Sequence, residues 1–575
     1  MENIYRNIYC GDLRKEHVGK TVKVAGWINS IRNLGSLVFL TLRDETGLVQ
    51  VISEDVELFN DITRESTAAI EGVVRMRSDI NPNMPTGEIE IVLDSIKILG
   101  KCMNVLPFEV NRSKDASEEA RLKFRYLDLR NPLVHEKIVF RTKVIEFLRN
   151  TMKSLDFTEI STPIITASSP EGARDFVIPS RNYKGKFYAL PQAPQIYKQL
   201  LMVSGFNRYF QIAPCFRDED CRADRTLEFY QLDLEMSFAT EEDVYQVGEK
   251  IFYDTFTKFG NKEVSPRPFR RIAFKEAMEK YGSDKPDLRN PLIIEDITEI
   301  FSNTSFNGFK EKIVKAIKVN SCDKPNSWYK KLEEFIKEKG AQGLAYIKVE
   351  ENELKSTITK FLSVDEINGL KNTLKLETGN VVFILAGDKK VVKYSGILRN
   401  KLGEELELID NNKFEFCIIN DFPMFEYNEE EEKWDFGHNP FSMPKGGLEA
   451  LRNGDIENVV AHQYDFVCNG CEMASGAVRN HDIEIMKEAF AIAGYDEEVI
   501  KNKFRSLYTA FQFGAPPHAG MAPGIDRIIM LLTDEENLRE VQVFPPNVSG
   551  MDLLMGSPNE LDERQLRELH IKIRD

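Results

Sequence analysis

Residues 216–236 read FRDEDCRADRTLEFYQLDLEM, with Arg217, Arg222 and Arg225 set among Asp218, Glu219, Asp220, Asp224 and Glu228. A charge-rich run is ordinarily a solvated loop. Here two strand-like segments bracket it, NRYFQIAPC at 207–215 and EFYQLDLEM at 228–236. Successive strand residues point to opposite sides, so Phe229, Gln231, Asp233 and Glu235 share one face and Tyr230, Leu232, Leu234 and Met236 the other. An aromatic, an amide and two acids over an apolar back, beside an arginine-rich loop, describe the floor of a site for a charged ligand.

At 575 residues the chain has room for several domains, each with its own core. A hydrophobic content of 42% and a charged content of 29% are those of a soluble globular protein. No apolar run approaches the roughly 18 residues of a membrane helix. The first residues, MENIYRNIYCGDLRKEH, lack the marks of a signal or transit peptide, so a cytoplasmic protein with no membrane partner is expected. The eight scattered cysteines suit a reduced compartment. A net charge of −16 counts against a general nucleic-acid binder and, taken alone, favours a small-molecule enzyme.

Residues 1–108 hold five short strand-like runs, among them TVKVAGWIN, SLVFLTLRD and GLVQVIS, which predict a small β-barrel of the OB-fold kind. Residues 109–130 are polar and read as a hinge or linker. From Leu133, apolar residues at Val134, Ile138, Ile145, Leu148, Met152 and Leu155 keep helical spacing. An α+β catalytic domain is expected at 131–289 and 411–555, interrupted by an inserted α+β domain at 290–410, with a C-terminal extension at 556–575.

Arginine presents a planar fork that matches a phosphate or carboxylate bidentately. Arg217 beside Phe229 thus offers an anion clamp and an aromatic platform, which a nucleotide needs together; salt bridges within the loop would account for the charges as well. In GAPPHAGMAPGIDRIIMLL at 514–532, Gly520 and Gly524 allow close backbone approach, and Arg527 opens an apolar helix against its dipole. Its compensating anion is either Asp526 or a ligand phosphate. QYDFVCNGCEMASGAVRNHD at 463–482 carries Asp465 and Glu472, two acids of the kind that bridge Mg²⁺ to phosphates. Arg479 in the same stretch could clamp a carboxylate. CNGC has zinc-type spacing, without a second Cys/His pair at a suitable distance.

The pattern FRDED.RADR..EF.Q.D.E, the GIDR ahead of an apolar helix, and EISTPIIT at 159–166 resemble motifs 2, 3 and 1 of class II aminoacyl-tRNA synthetases. SSPEGARDF, GKFYALPQAPQIYKQLLM, GSDKPDLRNP, GLAYIKV and DFPMFE are similar to the bacterial type of aspartyl-tRNA synthetase, of subclass IIb, nearly end to end. The resemblance implies an N-terminal OB-fold anticodon-binding domain and an antiparallel-sheet catalytic domain flanked by helices. It also implies an aspartate–tRNA ligase that is ATP-dependent and AMP-forming, uses Mg²⁺ with ATP, and holds no tightly bound cofactor. Its partners would be tRNA(Asp), ATP and L-aspartate, in a homodimer built on the motif 1 helix and Pro163.

Carried over residue by residue, the resemblance puts Arg217 on the α-phosphate, with Asp218 and Glu219 in the ATP site and Phe229 under the adenine. Gly524, Ile525, Asp526 and Arg527 contact ATP, Arg527 at the γ-phosphate; Asp465 and Glu472 take the metal, Glu472 also touching ATP. Aspartate falls to Glu171, Gln195, Lys198, Arg217, Asp233, His438 and Arg479. Two cations facing one carboxylate would reject asparagine, whose amide would turn a donor toward donors. Arg32, Phe39, Gln50 and Glu90 match positions that read anticodon bases, and an outward Phe39 is a stacking platform for an unpaired base.

Four departures from the family pattern surround the site: Thr226-Leu227 for Gln-Pro, Asn439 for a second histidine, Ala474 to Ala477 in place of a glycine-rich run, and Pro523 for phenylalanine. They motivate a rival reading as a catalytically altered, inhibitor-resistant or regulatory paralogue. An asparagine synthetase on the same core is disfavoured by the barrel. The loop IRNLGSLVF at 31–39 bears Leu34 where relatives that charge both aspartate and asparagine tRNAs tend to carry histidine, so selectivity for the aspartate anticodon is expected.

Overall fold

The computed structural model describes residues 3–168, 172–351 and 353–574. Its contacts divide it into two units, 1–133 and 134–575.

In the first, β1 (Thr21–Asn33), β2 (Val38–Asp44), β3 (Gly47–Ser53), β4 (Thr67–Met76) and β5 (Ile89–Gly100) close a barrel in the order β1-β2-β3-β5-β4. All neighbours run antiparallel except β3 and β5. Val38, Leu40 and Leu42 alternate into the barrel and are fully buried against Val24, Val49 and Ile91. Residues 109–130, polar enough to read as a linker, are folded as a 3-10 turn at Val110–Asp115 and two short helices, Glu118–Lys123 and Arg125–Asp128. Charge pairing orders them. Asp128, fully buried, receives Ser113 at 2.5 Å and Arg121 at 3.1 Å, with Arg125 alongside. Glu65 takes both Nη2 contacts of Arg43, at 2.9 and 2.8 Å, and Arg130 at 3.0 Å. Arg43 of β2 points away from the barrel core, yet this pairing leaves it only 4% exposed.

The second unit is built on an eight-stranded sheet: β6 (Thr158–Glu159), β7 (Arg208–Phe216), β8 (Glu228–Ser237), β9 (Arg270–Ala273), β10 (Phe416–Pro423), β11 (Val460–Cys468), β12 (Cys471–Val478) and β13 (His518–Pro523). Their order is β9-β10-β11-β12-β13-β8-β7-β6. The interior pairs are antiparallel and each edge strand is parallel to its neighbour, so the sheet is mixed where antiparallel was expected. Among its helices are α1 (Pro132–Ser154), α2 (Gln195–Val203), α3 (Glu241–Phe259), α4 (Val391–Glu405) and α5 (Ile525–Leu532). Leu232, Leu234 and Met236 of β8 bury their side of the sheet against Ile251 and Phe252 of α3, with Leu148 and Met152 of α1 in the same core. This leaves the opposite face of β8 to its polar residues.

Between β9 and β10 the chain forms a second, antiparallel sheet in the order 294–296, 313–319, 381–387, 345–349, 354–355. Its helix α4 grips the loop that leaves the catalytic sheet. The fully buried Arg399 donates to the carbonyls of Leu292 (2.6 Å), Asn290 (2.6 Å) and Asp287 (3.0 Å), and Asn290 Nδ2 returns a bond to Arg399 O at 2.9 Å. A Cβ on Gly396 would lie 2.4 Å from Gly282 O, so only glycine permits this approach.

Candidate active site

A cavity of about 420 Å³ opens over the polar face of β8, walled by α2, β12 and the start of α5. Of the residues expected there, Gln195, Lys198, Arg217, Glu219, Phe229, Asp233, His438, Glu472, Arg479, Gly524, Asp526 and Arg527 line it together. Glu171 lies outside the described residues.

The floor is a buried quartet of charges. Lys198 of α2 donates to Asp233 at 2.7 Å and lies 3.4 Å from Glu235; Arg479 at the end of β12 donates to Glu235 from Nε at 2.8 Å and Nη2 at 3.1 Å. None of the four is more than 2% exposed. Burial pushes both acids up. For Glu235 the charges of Arg479 and Lys198 outweigh it and hold the carboxyl below its usual range, whereas Asp233 stays raised. Asp233 Oδ2 and Gln195 Nε2 are buried without hydrogen bonds. An orphaned acceptor and an orphaned donor beside a neutralised quartet suit a small zwitterion with an extra carboxylate. Glu235, which the alternation of β8 puts on the site floor with Asp233, has no ligand role among those the resemblance implies. Gly520, opposite Glu235 on β13, is required there, because a Cβ would lie 2.1 Å from Glu235 Oε2.

Toward the other end, the Arg217 guanidinium stands 5.0 Å from the centre of the Phe229 ring, and its buried Nε has no hydrogen-bond partner. Salt bridges do form within the loop, Arg225 to Glu219 at 3.2 Å, but they leave Arg217 to the cavity. Asp218 is outside the lining, where its carboxylate lies 3.8 Å from Arg174. Thr226 Oγ1 turns back to the carbonyl of Glu228 at 2.7 Å.

Asp526 is not the anion that compensates Arg527. Arg527 donates to the Glu472 carbonyl at 2.8 Å and lies 3.5 Å from the Glu472 carboxylate and 3.6 Å from Asp224. Asp526 instead pairs with Arg141 of α1 and accepts from the Tyr230 N–H at 3.0 Å, tying α5 to β8. Ile525 is fully buried in the hydrophobic core and is not among the residues that line the cavity. Gly524 has room for a Cβ among the protein atoms, its nearest neighbours being Arg527 side-chain atoms at 3.8 Å, whereas at Gly520 the protein itself demands the close approach.

Asp465 of β11 and Glu472 of β12 are joined by Lys285, which sequence reasoning missed. Its Nζ lies 2.6 Å from Asp465 Oδ2, 3.4 Å from Glu472 Oε2 and 2.6 Å from Asp284. Burial opposes the Lys285 charge, and the three carboxylates more than offset it, so its pKa sits above the ordinary lysine range. Asp465 is raised by burial and by the Glu472 charge, and its Oδ1 is buried without a hydrogen bond. Glu472 lines the cavity and Asp465 lies behind the lining; two hard carboxylates with a free oxygen fit Mg²⁺. The signal for Lys285 lay in GSDKPDLRNP, a lysine amid acids and a proline. His438 stands at the cavity edge with its ring 5.0 Å from that of Phe422, and Asn439 caps its own loop through the Phe441 N–H at 2.9 Å. Ala474 and Ala477 are buried, and Pro523 pairs with Ala474 across β12 and β13.

On the barrel, Arg32 faces Phe39 across β1 and β2, and Thr41 faces Gln50 across β2 and β3. Gln50 donates to Glu90 at 2.7 Å, and Arg75 holds the other Glu90 oxygen at 2.8 Å. The four expected base-reading residues thus share one outer face, with Phe39 half-exposed at its centre.

The pattern of tRNA synthetases class II (D, K and N) matches residues 117–548. The chain belongs to the class II tRNA synthetases. An OB-fold nucleic acid binding domain matches residues 22–99 of this synthetase. It is 50% identical to an aspartate–tRNA(Asp/Asn) ligase of Rickettsia bellii, over 99% of this chain and 98% of that one. It is 49% identical to an aspartate–tRNA ligase of Streptomyces coelicolor, over 99% of both. Among solved structures, the synthetase fold resembles asparaginyl-tRNA synthetase from Pyrococcus horikoshii complexed with asparaginyl-adenylate, with a TM-score of 0.58 at 18% identity over 94% of this chain and 97% of that one. It also resembles aspartyl tRNA synthetase from Entamoeba histolytica, with a TM-score of 0.56 at 20% identity over 92% and 89%.

Proposed function

We propose that this synthetase is an aspartate–tRNA ligase. Aspartate's α-carboxylate attacks the α-phosphorus of ATP, pyrophosphate leaves, and the 3′-terminal ribose hydroxyl of tRNA(Asp) then takes the aspartyl group and releases AMP. The observation that carries the reading is the Lys198–Asp233–Glu235–Arg479 quartet, set in one cavity with Arg217 and Phe229.

Asp233 Oδ2 and Gln195 are available to the substrate ammonium and its surroundings, and Lys198 and Arg479 to its side-chain carboxylate. Arg217, its Nε free, neutralises charge developing at the α-phosphate, and Phe229 underlies the base. Asp218, Glu219, Gly524, Asp526 and Arg527 belong to the ATP side of this reading, and His438 and Glu171 to the amino-acid side. Asp465 and Glu472 would hold Mg²⁺, which supplies charge neutralisation on the polyphosphate. No covalent nucleophile is needed: placement and fixed charges carry the chemistry.

Relatives of nearly equal identity carry both the Asp and the Asp/Asn names, so the distinction rests on the barrel loop. Leu34 at its tip is 69% exposed and offers no hydrogen bond to a base, which supports preference for tRNA(Asp). A homodimer through α1 and Pro163 is part of the reading. It is supported by the apolar Val139, Ile164 and Ile165, which stand 40%, 46% and 59% exposed there. Among the described residues no helix is long and apolar enough to cross a membrane.

ATP–pyrophosphate exchange tests the reading. Exchange should depend on aspartate, proceed without tRNA and ignore asparagine. Its absence with aspartate would refute the assignment.

A further inference from the structure

One lysine does what a metal ion would do at the acid pair. The ammonium of Lys285 stands among three carboxylates, hydrogen-bonded to Asp284 and Asp465 at 2.6 Å each and 3.4 Å from Glu472. Asp465 is 3% exposed, and without Lys285 its charge would be buried near that of Glu472 with no cation of its own, since Arg527 lies 3.5 Å from Glu472 alone. The loop carrying Lys285 is fixed from behind: Arg399 binds three of its carbonyls, and Arg289 grips Asp287 at 3.0 and 2.8 Å. The backbone is therefore held while the four-carbon lysine stem remains able to swing. Asp465 Oδ1, unbonded, is left over for a further cation.

We propose that Lys285 is an internal cation that holds the Asp465–Glu472 pair when no nucleotide is bound, competes with divalent metal for it, and yields it only when metal arrives with a polyphosphate. The proposal rests on the reading of these acids as the metal site. In the free protein, a lone divalent ion must displace a tethered ammonium whose charge it cannot otherwise satisfy. With ATP present, the phosphates supply the anion that the released ammonium needs. Lys285 is thus a positioning residue that couples metal entry to nucleotide entry and keeps the acids in register between turnovers.

Titration of the full chain with Mn²⁺, followed through the electron-spin-resonance signal of the free aquo ion, tests this without any catalytic turnover. Wild type should leave Mn²⁺ free up to millimolar concentration and take it up once a non-hydrolysable ATP analogue is added. Lys285→Met should bind Mn²⁺ without nucleotide at least about tenfold more tightly than wild type, as expected when one competing charge is removed. Lys285→Arg should behave as wild type. Equal nucleotide-free affinities for wild type and Lys285→Met would overturn the proposal, as would tight nucleotide-free binding by wild type, which needs no variant to fold. Aspartate-dependent pyrophosphate exchange by wild type reports separately on the ligase reading, so the two can fail independently.

Discussion

Arg479 meets Glu235 edge-on with two parallel hydrogen bonds, 2.8 Å from Nε and 3.1 Å from Nη2, and neither side chain is more than 2% exposed. The residue proposed to recognise the substrate is therefore also half of a buried ion pair. Arg479→Leu should abolish aspartate binding while sparing ATP binding. It should also cost roughly 3–5 kcal/mol of stability, because Glu235 is left buried with only Lys198 nearby. Calorimetric titration with each substrate and a denaturant melt check both halves. Equal loss of both ligands would move Arg479 to the phosphate end of the cavity.

Replacing Arg217 by alanine removes a donor at the reacting phosphate and the cation over Phe229. The expected loss is roughly 3 kcal/mol of transition-state stabilisation, about a hundredfold or more in exchange rate. Arg217→Lys should recover only part of it, since an ammonium cannot reproduce the planar fork. Exchange by Arg217→Ala within about tenfold of wild type contradicts this role.

His518 is fully buried behind the quartet, and burial lowers its pKa to about 4 against the pull of Glu235. Above the unfolded value of about 6.5, both folded and unfolded chains hold it neutral. As pH falls from there toward 4, the unfolded chain takes a proton that the folded chain refuses, and stability drops, by up to about 3 kcal/mol. Melting temperatures of wild type and His518→Gln from pH 7.5 to 4.5 should converge as pH falls. Parallel curves would show that His518 is protonated in the folded protein.

Phe39→Ala should raise the KM for tRNA by about ten- to a hundredfold, the value of one stacked base, and leave tRNA-independent pyrophosphate exchange unchanged. At the neighbouring loop, wild type should prefer the aspartate transcript over the asparagine transcript by a similar factor, since one base contact is worth about 1–3 kcal/mol. Comparable kcat/KM on both transcripts would make the enzyme non-discriminating, and Leu34→His should then change little.

Strands announced themselves where burial is one-sided. The alternation of β8 and of β2 was legible because each has one face in a core and one turned to a site, and the residues on those faces follow directly. What stayed hidden was pairing between distant segments. Nothing local in GSDKPDLRNP says that Lys285 meets Asp465, 180 residues away, nor that Asp526 serves Arg141 and leaves Arg527 to Glu472 and Asp224. Residues 109–130 misled for a related reason: their order comes from buried charge pairs, which composition cannot distinguish from a solvated linker. The parallel edges of the catalytic sheet depend on chain crossovers, to which residue alternation is blind.

Arg399 bears on how this chain can be shortened. Deleting 290–410 and rejoining the ends looks like the removal of a self-contained module, because the excised piece carries its own sheet and core. The cut would also take away the guanidinium that holds the carbonyl of Asp287, along with Asn290 and Leu292, whose carbonyls it gathers. The host protein would keep Lys285 in its sequence yet lose the mould that aims it. A minimised synthetase would have to import a replacement for that one buried cation.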